Sequence, residues 1–206
     1  MTKTRLFSYA LIPIIVILGW GLYRSIAGKI ELAENIKKSE SQVIAKLLMI
    51  REAEKAYMTK YGDFTSSFDT LASFIKEDSL FIIEKKEIIQ PRTKNDPLYW
   101  TNTDSIRIEM DTIGVEMVDE KLFPKDKFPN FNPDMIAYVP GYDISEGKKF
   151  EIYTGEVDKG GVKVDVIEVV DPYPLDPTRS DDHPSRIRWN LRFGSKTDVT
   201  LSGNWE

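Results

Sequence analysis

The chain has 206 residues, 30% of them charged, a formal net charge of −5 and no cysteine. This length predicts one compact domain besides an N-terminal apolar segment, and the lack of cysteine excludes disulfides, lipid attachment to cysteine and thiolate metal sites. The first 28 residues carry a charge of +3 and the rest −8. Because the larger part is acidic and has no dense basic patch, we expect no nucleic-acid partner.

The N-terminal segment from Leu6 to Tyr23 contains no charged side chain. At about 1.5 Å per residue its helix would be about 27 Å long, close to the ~30 Å hydrocarbon thickness of a bilayer. Trp20 and Tyr23 lie at one end, where aromatic rings favour the headgroup level. We therefore expect a single transmembrane signal anchor over residues 6–27, preceded by a tail of residues 1–5.

The sequence specifies the orientation of this segment across the membrane less strongly than its insertion. Basic residues stand on both sides of it, such as Arg5 before it and Arg24 after it, so counting positive charges does not decide the orientation. A short basic tail is typical of a signal anchor, which predicts a cytoplasmic tail, a single pass of the bacterial inner membrane and a C-terminal domain in the periplasm. Two alternatives stay open: cleavage after Ala27, where small residues precede a potential signal-peptidase site, and a buried or interfacial helix.

A helical stalk is expected after the apolar segment. No proline or glycine occurs between Lys29 and Lys60, and apolar residues such as Val43 and Ile50 recur at heptad spacing. Glu40 and Glu54 interrupt this pattern. The breadth of the apolar face favours packing on the protein's own domain, with a coiled-coil seam as the alternative.

The stalk is predicted to end at Gly62. A short second helix follows, with Thr65 or Ser66 as its N-cap, so that residues 28–76 form the two helices together. The face expected to be buried holds Phe68, Leu71, Ala72 and Ile75.

The residues at this junction also suggest a family. Ala56-Tyr57, Tyr61-Gly62, the aromatic Phe64, the Thr/Ser pair after it and Leu71 resemble the end of the N-terminal helix in type IV pilins and type II secretion pseudopilins. The similarity covers about residues 6–75. It implies a membrane helix, a continuous stalk helix and a β-rich head. The family's leader glycine and membrane-helix glutamate have no counterpart in residues 1–23, so the resemblance implies an architecture rather than processing or filament assembly.

Residues 77–206 are predicted to form this β-rich head. The clearest signal is a hairpin of residues 149–154 with 162–170, joined through Asp158-Lys-Gly-Gly161. Further strands are predicted at 80–83, 88–89, 105–110, 113–118, 135–139 and 187–193. The expected fold class is α+β, pilin-like, with the helical stalk packed on one face of an antiparallel sheet of about five strands.

Candidate partner-binding residues lie in the irregular parts of the head. Phe123, Phe128 and Phe131 alternate with prolines, and they form a protein or glycan contact if exposed or pin a long loop if buried. Arg188 and Arg192 share one face of the last predicted strand as a polar rim. Trp205 is expected to dock on the domain or on another subunit.

The chain offers no recognisable catalytic constellation. His183 is the only histidine, and carboxylates such as Asp63, Asp171 and Asp176 show no spacing that selects an acid/base pair. We therefore expect no enzyme activity, no metal site and no cofactor, and rank an enzyme third among the hypotheses.

The leading hypothesis is a non-enzymatic, single-pass component of a bacterial cell-envelope assembly, such as a secretion, pilus-like or motility machinery. It would bind other envelope proteins through stalk and head, and copies of itself through the membrane and stalk helices. The alternative is a module that binds an envelope glycan through the aromatic loop 123–131.

Overall fold

The computed structural model of the protein describes residues 3–92, 94, 105–179 and 188–206. Within these ranges the protein is α+β and has two small antiparallel sheets, which confirms the predicted class. The helices are α1 (Lys3–Tyr61), α2 (Phe68–Glu77) and α3 (Val118–Leu122). The strands are β1 (Ser79–Gln90), β2 (Ser105–Met117), β3 (Glu151–Lys159), β4 (Val162–Val170) and β5 (Arg192–Gly194).

Helix α1 is 59 residues long and unbroken, with Pro13 inside it. Its C-terminal half buries one face: Val43, Leu47, Ile50 and Ala53 are at most 3% exposed. They recur every three or four residues, as one helical face requires. They pack with residues of α2, β4 and β5 in one core. The apolar face of the stalk therefore packs on the protein's own head.

The first glutamate that interrupts the heptad pattern pairs with a distant loop. Arg179 Nε donates to Glu40 Oε1 at 2.5 Å, and Arg179 Nη1 donates to the carbonyl of Trp189 at 2.8 Å. Arg179 is 9% exposed, so the pair is largely shielded from solvent. It joins α1 to the segments on either side of residues 180–187, which lie outside the described residues together with His183.

Helix α2 forms where the sequence predicts it. It buries Leu71, Ala72, Phe74 and Ile75. The N-cap position is Ser67 rather than Thr65 or Ser66, and the Ser67 side chain makes no cap hydrogen bond. The Thr65 hydroxyl instead accepts from the backbone N–H of Ser67 at 3.2 Å, so it organises the turn before the helix.

The three-stranded sheet has the order β3-β4-β5. The predicted hairpin is confirmed: β3 and β4 pair from Glu151↔Val170 to Lys159↔Val162, and Gly160 and Gly161 close the turn with positive φ angles of 66° and 86°. Strand β5 is shorter than predicted, because before Arg192 the backbone bonds a loop instead of a longer ladder: Arg188 N–H donates to the Thr178 carbonyl. Ile187 lies outside the described residues.

The expectation of one five-stranded sheet is wrong. Strands β1 and β2 pair only with each other, over residues 79–90 and 105–117, and form a separate β-ribbon. After β2 the chain turns into α3, which packs in the core through Val118, so no strand continues from the ribbon into the other sheet. The predicted strand 135–139 does not form. Met135 ends a 3-10 helix (Pro133–Met135), residues 136–137 form a turn, and Tyr138 makes a single bridge with Lys149.

Glu54, the second interruption of the heptad pattern, is fully buried. Its Oε2 accepts from the backbone N–H of Thr65 at 3.1 Å, and its Oε1 has no hydrogen-bond partner. Burial raises the pKa of Glu54 from 4.5 to about 8, although the hydrogen bond from Thr65 opposes the shift. The carboxyl is therefore protonated in the folded protein at neutral pH.

This pKa predicts that the head loses stability as pH rises. An acid that binds its proton more tightly when folded stabilises the fold below its unfolded pKa, and the advantage disappears as pH rises towards the folded pKa. Between pH 5.5 and 8 we expect urea unfolding of the detergent-solubilised protein to show a loss of roughly 2–3 kcal/mol. Glu54→Gln should flatten this dependence, whereas Glu52→Gln, an exposed residue on the same helix, should retain it. An unchanged slope in Glu54→Gln would contradict the assignment.

Candidate functional site

The first surface with functional character is the N-terminal half of α1. Among the helices of the described residues, only α1 is long and apolar enough to cross a membrane. The large apolar side chains described between Leu11 and Leu32 are all more than half exposed, so the head covers none of them. By length and composition this helix could therefore cross a membrane.

The predicted membrane residues all belong to this helix. Leu6 lies in α1. Trp20 and Tyr23 are 62% and 72% exposed, and the Arg24 guanidinium lies 5.5 Å from the centre of the Trp20 ring. An aromatic ring beside a basic residue at the end of an apolar stretch suits the headgroup region.

The structure brings the three predicted phenylalanines together as an aromatic cluster. The Phe123 ring stacks on Phe131 at a centroid distance of 4.0 Å and meets the edge of Phe128 at 5.7 Å. Phe123 is only 4% exposed, and the other two rings are half-buried against the core. The cluster thus pins the loop after α3 to the head.

The outer side of the aromatic cluster lines a shallow groove of about 330 Å³. Its walls combine phenylalanine and proline rings with a few charged side chains: Phe123, Phe128, Phe131, Pro124, Pro129, Pro133, Asp119, Glu120 and Lys125. This volume is at the lower end of small-molecule sites. Phe128 and Phe131 form the accessible aromatic surface of the groove, whereas Phe123 is buried.

The remaining predicted partner residues serve mainly the head itself. Arg192 pairs with Glu168 at 3.3 Å, as expected of a polar rim beside acidic neighbours, whereas Arg188 is exposed and precedes the strand. Trp205 docks on its own domain. Its ring covers Gly203 so closely that a Cβ on Gly203 would lie 2.4 Å from ring carbons.

The described residues contain no group of three or more His, Asp or Glu side chains that could hold a metal. The carboxylates considered as catalytic candidates serve loop structure instead. Asp171 accepts from the backbone N–H of Tyr173, and Asp176 accepts from both the backbone and the hydroxyl of Thr178, each at 2.9 Å. Burial raises the pKa of Asp171, although the hydrogen bond from the Tyr173 N–H opposes the shift.

The head also has an exposed apolar surface that was not predicted from the sequence. Cross-strand partners share a face of the β-ribbon, and one face is mostly apolar, interrupted by Lys85 and Glu87. We call it the apolar face; it carries Phe81, Ile83, Ile89, Ile106, Ile108, Met110, Val115 and Met117, which are 38–72% exposed. The alternation at 105–118 predicted half-buried strands, and the ribbon instead leaves this face open.

One sequence signal could have revealed this surface. Glu84-Lys-Lys-Glu87 interrupts the apolar runs of β1 at its middle, so both faces of the strand carry charges there. If one face of this strand were buried in a core, the two charged side chains on that face would be desolvated, which is costly. The run therefore indicates a strand that is open to solvent.

No protein-family model, curated protein or solved structure shows significant similarity to this chain.

The burial of Phe123 predicts how it differs from its neighbours on mutation. Phe123→Ala should destabilise the head by about 3–5 kcal/mol, because it removes a buried ring that two others pack against. Phe128→Ala should cost less, since its ring is already half in solvent. Urea unfolding of the purified protein measures both values. Equal losses would show that the cluster is not anchored on Phe123.

Proposed function

We propose that the protein is a non-enzymatic, single-pass component of a bacterial cell-envelope assembly, anchored by α1 and binding other proteins through its head. The observation that carries the proposal is the division of α1: its N-terminal half exposes apolar side chains, while its C-terminal half is a wall of the core. A soluble protein rarely leaves so large an apolar surface uncovered.

The proposed placement rests on the likeness of the N-terminal segment to a signal anchor. We place residues 1–5 in the cytoplasm, the apolar stretch in the inner membrane and the head in the periplasm. The basic residues Lys3 and Arg5, which precede the apolar stretch, support this direction. The pilin-like arrangement of membrane helix, stalk and β-rich head is part of the same proposal.

The anchor can be tested by charge insertion. Ile15→Arg combined with Leu18→Arg should release much of the protein from membranes on carbonate extraction, because each arginine at mid-span costs about 2.5–3.5 kcal/mol. Glu34→Arg combined with Lys38→Glu changes charges on the same helix outside the apolar stretch and should leave the protein in the pellet. Release of the unmodified protein by carbonate would overturn the membrane assignment.

Partner binding requires a separate experiment. The full-length protein, solubilised in mild detergent and purified through a C-terminal tag, should carry other envelope proteins in stoichiometric amounts. Chemical crosslinking in intact cells before lysis should recover the same proteins. If both experiments yield the anchored protein without any partner protein, the assembly role is wrong even though the anchor stands.

A second candidate function is supported by the groove beside the aromatic cluster. Phenylalanine and proline rings that flank a shallow groove suit the apolar faces of sugar rings in an envelope glycan. Retention of the solubilised protein on isolated cell wall should then fall on Phe128→Ala, while Phe81→Ala, an exposed aromatic outside the groove, should have no effect. No retention of the unmodified protein would remove this candidate.

A further inference from the structure

The β-ribbon has an apolar face that the core of the head does not cover. Strands β1 and β2 pair along their full length, yet among the residues that the structure describes no third strand extends their sheet. At about 3.3 Å per residue the ribbon is about 40 Å long. An isolated two-stranded hairpin is marginally stable in water, and this one adds a largely apolar face that solvent must hydrate.

The root of the ribbon is fixed to the end of α1. Lys60 and Tyr61 both donate to the carboxylate of Asp78, and Lys60 Nζ donates to the Ser79 carbonyl at 2.7 Å. Partial burial raises the pKa of Asp78, but the hydrogen bonds from Lys60 and Tyr61 outweigh it and leave the pKa below its ordinary value. The Val118 N–H donates to the Asp78 carbonyl at 3.0 Å. The ribbon is therefore held at both strands where it leaves the head.

The charges on the apolar face select its partner. Lys85 and Glu87 are the two charged residues of that face, one of each sign, near the middle of β1. Their side chains lie 3.6 Å apart at Nζ and Oε1. Consider a two-fold axis that lies in the plane of the contact, perpendicular to the strands, and passes between Lys85 and Glu87. It places each lysine opposite the glutamate of the other copy, and Met110 opposite Ile108. The face is therefore complementary to itself, as an isologous interface requires.

We propose that the β-ribbon is a homodimerisation surface, in which the apolar faces of two copies pack against each other around paired Lys85 and Glu87 side chains. Such packing sets two sheets about 10 Å apart and places Ile83 of each copy opposite Ile89 of the other. The charged opposite face, with Glu84, Lys86, Glu109 and Asp111, remains in solvent.

The area of this contact fits two copies that share one membrane. With the axis between Lys85 and Glu87, residues 82–90 of the two copies overlap over about 30 Å, and at about 10 Å width this is a footprint of about 300 Å² per copy. A standard stable interface is larger and buries ~800 Å² of accessible surface on each partner. Confinement in one bilayer raises the effective concentration of the copies, so the smaller contact suffices. This step rests on the membrane anchor proposed above.

Charge reversal tests the proposal. Full-length copies with two different tags are co-expressed, solubilised in mild detergent and purified through the first tag, and recovery of the second tag is measured. Lys85→Glu in both copies, or Glu87→Lys in both copies, should reduce recovery at least about tenfold, because like charges then meet at a desolvated contact. Pairing a Lys85→Glu copy with a Glu87→Lys copy should restore it. This restoration cannot arise from repulsion within one chain.

The matched control is Glu84→Lys. It makes the same chemical change on the opposite face of the same strand, where Asp111 is its cross-strand partner, and it should leave recovery unchanged. Equal recovery in every combination would overturn the proposal, since the copies would then associate elsewhere or the two charges would only keep the ribbon soluble. Loss in the single variants without restoration in the mixed pair would also overturn it.

The result separates this inference from the proposed function. If the unmodified protein recovers other envelope proteins but not its second copy, the dimer is wrong and the assembly role stands. If it recovers only its second copy, the dimer stands and the assembly role fails. If a ribbon variant loses a different protein while recovery of the second copy is unchanged, the apolar face binds that protein and the dimer is overturned.

Discussion

A single helix carries both the uncovered apolar surface and the main wall of the core, and the rest of the structure is arranged around this constraint. The last exposed apolar residue of the first stretch is Leu32, and the first core residue is Val43. At 1.5 Å per residue the interval between them is about 16 Å. Because the helix is unbroken, a head that packs from Val43 onwards stands at a fixed distance from the apolar stretch, and no flexible linker separates them.

Polar contacts fix where the head sits on this helix. Apolar packing alone tolerates sliding by a turn, since residues of similar size recur along the face. Three sets of hydrogen bonds to α1 form at only one position of the helix. Arg179 donates to Glu40, Arg51 donates to Glu206 and to the Leu201 carbonyl, and the Thr65 N–H donates to the buried Glu54. A buried ion pair or carboxyl adds little stability of its own, but leaving one without its partner is costly. The glutamates that interrupt the heptad pattern thereby specify the register.

The sequence predicted local structure better than strand partners, for a physical reason. Gly62, the face around Leu71 and the Gly160-Gly161 turn act over a few residues, so the helices and the central hairpin were predicted near their observed limits. Which strands share a sheet depends on contacts between distant residues, and alternation at 105–118 is the same whether the apolar side is covered or open. Burial of Phe123 beside the half-buried Phe128 likewise depends on the core that the loop meets, so spacing alone left both alternatives open.

The exposed apolar stretch of α1 is at the N-terminal end of the helix, and the β-ribbon starts beside its C-terminal end. This separation limits how the two surfaces can act together. From Leu32 to Tyr61, next to the root of the ribbon, α1 extends about 44 Å. Lys60 and Tyr61 hold Asp78, so the start of the ribbon is attached to the end of α1. Two copies that pair through their ribbons therefore have their helices placed relative to each other by the contact. A partner seated on the aromatic groove would instead meet the loop after α3 and leave the pairing of the ribbon free.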